Sequence, residues 1–247
     1  MKRSPLVLAV AAIVVLVGAA GAYGFATLFL HPAPPAVSLD PGSSQPAASI
    51  GTLPSGAAAT LSGGFDGTWA VDPSIGSFSD FSSSWVGYRV DETLAGNRAN
   101  TAVGRTPDVT GSLTLSGTQI TSVEITANLQ TLQSDDRRRD GQLGRQGIET
   151  DQFPKATFKL TAPIELGSAP ADGQTITATA TGELTLHGVT KSVDVPIQAQ
   201  VAGNVVTVAG SIEIQFADYD ISPPSSFVVL SVEDHGIVEF QLHFQHQ

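Results

Sequence analysis

The stretch TITATATGELTL, Thr175–Leu186, alternates polar and apolar residues without a break. Thr175, Thr177, Thr179, Thr181, Glu183 and Thr185 fall on one side of the alternation. Ile176, Ala178, Ala180, Gly182, Leu184 and Leu186 fall on the other. A period of two puts successive side chains on opposite faces of an extended chain, so the pattern specifies a β-strand with one wet and one covered face. The period recurs. Over 189–201 the apolar set is Val193, Val195, Ile197, Ala199 and Val201; over 205–216 it is Val206, Val208, Gly210, Ile212, Ile214 and Phe216. Over 237–246 it is Val238, Phe240, Leu242 and Phe244, and upstream Val86, Tyr88 and Val90, Leu113 and Leu115, and Val123, Ile125 and Ala127 repeat it. Each greasy face must be covered, and only a short polar segment near 136–147 reads as helical. A sandwich and a closed barrel both meet that demand. Long strands joined by tight Gly-containing turns at 186–190 and 202–204 favour an all-β, antiparallel up-and-down barrel of about eight strands with one short helix.

The covered face of 175–186 carries Ala178, Ala180 and Gly182 where a core would hold bulk, and Ala199 and Gly210 continue this on the next two strands. Two readings remain open. The small residues leave an apolar groove inside the barrel, or aromatic rings from other strands fill the space, for which eleven Phe are present. On the first reading the alternation assigns the lumen to Val86, Tyr88, Ile125, Ala178, Ala180, Gly182 and Val195. Ile197, Val208, Gly210, Ile212, Phe240 and Leu242 complete the set.

The formal net charge of −11, with charged residues at only 14%, argues against a nucleic-acid partner. The absence of cysteine excludes disulfides, thiolate metal sites, Cys nucleophiles and a lipid-modified N-terminal Cys. Lys2 and Arg3 precede an uncharged apolar run from Leu6 to Leu30. As a helix this run would span roughly 37 Å, more than a bilayer's hydrocarbon core. We read residues 1–30 as a single transmembrane anchor with its basic end cytoplasmic, which places the rest of the chain extracytoplasmic. Ala20-Gly21-Ala22 supports the competing reading of a cleaved signal sequence, with the same final location. Residues 31–64, rich in Pro, Ala, Ser and Gly, read as a flexible linker, and 65–247 as the folded domain.

Residues 181–197, TGELTLHGVTKSVDVPI, resemble the strand–turn–strand signature of YceI-like proteins, G-x-L-T-x-x-G-V-T-K-x-V. Residues 138–158 resemble that family's R-D-x-x-L stretch and its following apolar, Pro and Phe positions, here Arg139, Asp140, Leu143, Ile148, Pro154 and Phe158. The resemblance covers nearly all of 65–247 and none of the anchor or linker. It implies a lipocalin-like barrel, outside the cytoplasm, without catalytic machinery, whose lumen in some members holds a polyprenyl or quinone-type lipid. The expected function is therefore binding or carrying a hydrophobic isoprenoid-type lipid, with no other cofactor. The alternative is an envelope interaction module with a filled barrel and no ligand. One departure stands out in IQFADYDIS, 214–222. Phe216 stands where the family pattern often has Arg, and Asp220 where it has Gly.

Arg137, Arg138 and Arg139 with Asp135, Asp136 and Asp140 form the densest charge cluster. Its arginines either meet a lipid head group or sit on a solvated, capped helix. Arg139 and Asp140, which match the motif, are the candidates for a head-group contact or a structural ion pair. His243 and His246 stand three apart on a strand, on opposite faces, which disfavours a shared metal, and none is expected. Ser231, Asp234 and His235 lack the G-x-S-x-G elbow of a hydrolase, and no catalytic residue is assigned. Oligomeric state is not encoded in any of these features.

Overall fold

The computed structural model describes residues 33–39, 65–168, 171–224 and 229–247. The expected anchor, residues 1–30, lies outside them; among the described residues no helix is long and apolar enough to cross a membrane. One unit comprises Met1–Pro34 and the other Pro35–Gln247. The second unit therefore takes in residues 35–39 of the segment read as linker.

In chain order the strands are β1 (Gly67–Val71), β2 (Trp85–Leu94), β3 (Arg98–Thr106), β4 (Val109–Ser116), β5 (Gln119–Asn128) and β6 (Gln133–Ser134). After the helix α1 (Arg137–Gln142) come β7 (Lys155–Leu160), β8 (Ile164–Glu165), β9 (Thr175–Leu186), β10 (Val189–Ala202), β11 (Val205–Gln215), β12 (Val229–Val232) and β13 (His235–His246). The sheet runs β1–β4–β5–β7–β9–β10–β11–β13 and returns to β1, all antiparallel, so eight strands close a barrel. The short β1 makes that closure, pairing with β4 through Gly67–Ala70 and with β13 through Trp69–Val71.

One stave is made of two pieces. One edge of β13 pairs with β11 along its length. The other pairs with β2 through Ile237–Gln241 and with β1 through Phe244–His246. β3 and β4 follow each other with only Pro107 and Asp108 between, β3 on β2 and β4 on β1. Residues 72–84, which join β1 to β2, leave the wall and return to it.

Periodicity explains which faces meet. Ala180 pairs with Val195, Ile197 with Gly210, Gly210 with Phe240, and Phe158 with both Ile125 and Leu184. Trp69, Val109, Leu113, Leu242 and Phe244 form one inner cluster. Leu129, Leu184, Leu186, Ile214, Tyr219 and Ile221 form another, at the end of the barrel that carries α1. A single buried Leu or Phe of this kind contributes about 1.5–3 kcal/mol.

The outer face departs from the wet-side expectation over part of β2, β3, β11 and β13. Trp85, Arg105, Thr207, Glu239, Gln241 and His243 stand on polar-side positions and are buried. The 72–84 segment accounts for this. Gln241 Nε2 donates to the carbonyls of Phe81 and Ser83, and His243 N donates to Ser84 Oγ. Arg105 lies between the Phe81 and Trp85 rings, 4.5 and 3.9 Å from their centres, and donates to Glu239 at 2.9 Å. Burial pulls the Arg105 guanidinium below its ordinary value, against the hydrogen bond and charge of Glu239; an arginine stays protonated through such a shift. Arg105 Nη2 also donates to the Pro35 carbonyl, and Leu39 is buried with its N–H on Gln198.

Candidate functional site

Inside the barrel lies a cavity of about 120 Å³. Its wall is almost wholly hydrocarbon, contributed by β2, β4, β5, β7, β9, β10, β11 and β13. A smaller chamber of about 50 Å³ lies toward the β1 end, lined by Phe65, Trp69, Leu166, Ile176, Ala178 and Ala199 among others. Leu113, Ile120, Ile197 and Val208 border both and form a waist between them.

Of the positions assigned to the lumen from alternation, Val86, Ile125, Ala180, Val195, Ile197, Val208, Ile212, Phe240 and Leu242 line the larger chamber. Ala178 lines the smaller one. Gly182 and Gly210 do not open space. A Cβ on Gly182 would come 2.5 Å from the Phe158 ring, and one on Gly210 would come 2.7 Å from the Phe240 ring. The open question about the small residues thus has a divided answer. Glycines admit aromatic rings from neighbouring strands, and the alanines border what those rings leave empty. Tyr88 lines neither chamber. Its hydroxyl is buried without a hydrogen-bond partner among the described residues. Burial raises its pKa, with the Arg139 charge opposing, so the phenol stays neutral.

Sequence reasoning missed Phe158, Leu184, Val123, Ile120, Val238 and Phe244 as lining residues. The signal was present. Ala156, Phe158 and Leu160 alternate with Lys155, Thr157 and Lys159 on β7, and Leu184, Val123, Val238 and Phe244 share the parity of residues already assigned. Ile120 breaks the parity of Ile125, because the β4–β5 register shifts between Thr114 and Leu115 and sets Ile120 opposite Leu115.

The barrel end beside α1 is closed by side chains and turns. The Asp136 carboxylate caps α1 by accepting from the Arg138 N–H at 2.8 Å. Arg139 pairs with Asp135 and, at 3.3 Å, with the buried Glu92 of β2. Asp140 instead accepts from the Ser134 N–H at 3.0 Å. The two motif residues therefore do not pair with each other; they anchor the helix to β2 and β6 separately. Burial works against the Arg139 charge, but the Glu92 and Asp135 carboxylates outweigh it and raise its pKa. Glu92 was not foreseen because its polar type gives no sign that it is buried.

Asp220, at the position where the resemblance led us to expect Gly, has φ of 53°. The backbone keeps the left-handed turn, which Asp tolerates better than most residues. His243 is buried and its Nε2 donates to the Ser82 carbonyl, whereas His246 Nε2 meets the Asp66 carbonyl, so the two serve separate contacts. Asp234 and His235 form an exposed hydrogen-bonded pair.

The family described as YceI-like domain matches residues 69–244. A UPF0312 protein of Vibrio parahaemolyticus is 30% identical over 121 residues, 46% of this chain and 60% of that protein. The chain thus aligns with less than two thirds of that relative. A polyisoprenoid binding domain from Saccharophagus degradans superposes with a TM-score of 0.57 at 16% identity, covering 72% of this chain and 98% of the other. BcnA of Burkholderia cenocepacia gives 0.50 at 20% identity, covering 70% and 98%. At these identities the two structures establish the shared barrel.

Proposed function

From the premise that this chain belongs to the YceI-like domain family, we propose that its barrel binds a hydrophobic, isoprenoid-type lipid chain in the lumen. The observation that carries this reading is the cavity itself: about 120 Å³ walled by hydrocarbon at the centre of a closed barrel. An apolar cavity of about 150 Å³ stays dry and takes up benzene, so this space suits one five-carbon isoprene unit. The 50 Å³ chamber beyond the waist extends the same path. A longer chain requires the Phe158 and Phe240 rings to turn aside. Each CH₂-sized group buried contributes about 0.8 kcal/mol, and no wall group demands a particular polar partner. Selectivity for chain length therefore exceeds selectivity for head group. The resemblance of the fold to a domain named for polyisoprenoid binding supports the reading. The Lys2–Arg3 charge ahead of the apolar Leu6–Leu30 run supports an anchored domain outside the cytoplasm.

A specific observation favours a second reading, a filled structural barrel: the Phe158 and Phe240 rings already occupy the space left by Gly182 and Gly210. Native mass spectrometry and solvent extraction of the purified full-length chain separate the two. Lipid binding predicts a stoichiometric apolar adduct that is lost on unfolding. A chain of bare protein mass that also takes up no added polyprenol supports the filled barrel and ends the lipid reading.

A further inference from the structure

The wall of the barrel is unladdered along part of one seam, and a proline explains where. A two-residue turn, Gly203 and Asn204, joins β10 to β11, so Ala202 and Val205 form a hydrogen-bonded pair. In an antiparallel ladder such pairs recur at every second residue, here Gln200 with Thr207 and Gln198 with Ala209. The same register next sets Pro196 opposite Ser211, and proline has no N–H to give. The ladder stops at that rung: its last register pair is Ile197 with Gly210. Beyond it each strand keeps only its other neighbour. Among the described residues, 189–195 pair with β9 alone and 211–215 with β13 alone.

Side chains close what the backbone leaves open. Val195 of β10 and Ile212 of β11 both line the larger chamber, and Val193 packs in the same cluster. Ile212 is only half-buried although it lines the chamber, so one side chain reaches from the lumen to solvent. Outside, Lys191 Nζ of β10 lies 3.5 Å from Asp218 Oδ1 in the segment after β11, and this exposed pair holds weakly. A laddered seam opens only when several backbone bonds break together, whereas packed side chains yield by changing rotamer. Residues 175–180 of β9 also lack a ladder on their β7 side. The side chains there, Leu166, Ile176 and Ala178, border the smaller chamber instead.

Building on the lipid-binding reading, we propose that the unladdered stretch between β10 and β11 is a side portal, through which a lipid tail enters the larger chamber between Val195 and Ile212. The Ile212 side chain is its door. A tail taking this route meets hydrocarbon from the lip to the lumen and leaves the end of the barrel beside α1 intact. Pro196 keeps the route open by denying the seam its next rung.

The chain has no cysteine, so a pair of introduced thiols clamps the portal selectively. Asp194 and Glu213 oppose each other when the β10–β11 register is continued, are exposed, and line neither chamber. The full-length double variant Asp194→Cys, Glu213→Cys is joined by a reducible bis-maleimide, and loading and release of N-phenyl-1-naphthylamine are followed by fluorescence. Both rates are expected to fall about tenfold with Kd unchanged, and to recover on reduction. The same clamp at Glu165→Cys with Thr177→Cys, across the other unladdered stretch, is expected to leave them alone. Unchanged rates in the first variant, or equal slowing in both, overturn the portal. If the clamped variant does not fold, Pro196→Val decides: it supplies the missing N–H and is expected to slow both rates about threefold or more, and parent rates overturn the portal. Amide hydrogen exchange reads the seam without ligand. The Glu213 N–H points to the β10 side and is expected to exchange about tenfold or more faster than those of Ile212 and Ile214, which point to β13. Equal protection overturns the portal. A probe that never enters the parent chain ends the lipid reading, and the Glu213 amide still decides whether the wall parts here.

Discussion

Gly210 and Phe240 face each other across β11 and β13, and the geometry makes their energies inseparable. Gly210→Ala places a methyl group 2.7 Å from the Phe240 ring edge and equally close to the Pro196 carbonyl. The backbone oxygen cannot swing aside, so the substitution should cost about 1–3 kcal/mol, as overpacking does. Phe240→Ala deletes a ring of roughly 100 Å³; at about 24 cal/mol per Å³ the cavity part is about 2.4 kcal/mol, within the 3–5 kcal/mol typical of this change. The remaining space, about 120 Å³ originally, grows to roughly 220 Å³. In the double variant the new methyl occupies part of the vacated ring space. The ring's share of the Gly210→Ala cost is relieved and the Pro196 carbonyl's share stays, so the combined cost should fall more than about 0.5 kcal/mol below additivity. The assay is urea unfolding followed by the fluorescence of Trp69 and Trp85, both buried in the barrel unit. Benzene, added in parallel, should raise the midpoint of Phe240→Ala more than that of the parent chain, because it binds only the folded, enlarged cavity. Additivity within about 0.5 kcal/mol would falsify the ring-over-glycine packing. A benzene response no greater than the parent's would show that the deleted ring did not border the lumen.

Two further outcomes follow from buried polar groups. Tyr88→Phe removes a hydroxyl that is buried without a partner among the described residues, so the variant should be about 1 kcal/mol more stable; a loss of stability would reveal a partner for that oxygen. His243 is held neutral by burial, its Nδ1 accepting from Thr207 and its Nε2 donating to Ser82. Its folded pKa is lowered, so as pH falls below about 6.5 the unfolded chain takes up a proton that the folded ring refuses, and stability is lost. Urea midpoints should fall from about pH 7.5 to about pH 5.5 in the parent and fall less in His243→Gln; parallel slopes would remove His243 from the account.

The barrel was legible because β9, β10, β11 and β13 keep strict parity over many residues, and one face of each is paid for by burial. The parity fixed which side of Val195, Ile197 and Val208 points inward. It did not say whether a glycine on that side marks empty space or a neighbour's ring, because that depends on register across strands. Gly182 and Gly210 were decided by Phe158 and Phe240, residues on other strands. The outer cover was illegible for a related reason. Trp85, Arg105, Glu239 and His243 occupy positions that alternation assigns to water, and the 72–84 segment that covers them has no period. Glu92 and Glu149 look like any surface acid until Arg139 and His187 are found against them.

The two-piece stave has a consequence for how the chain is made. β13 alone touches β11 on one edge and both β1 and β2 on the other, and every other described strand precedes it in the chain. During synthesis the ring therefore stays an open, curled sheet with two sticky rims until this last strand emerges. A nascent barrel in that condition needs shielding from its neighbours. With β13 still absent, the inner faces of β1 and β11 border a gap through which the lumen opens sideways.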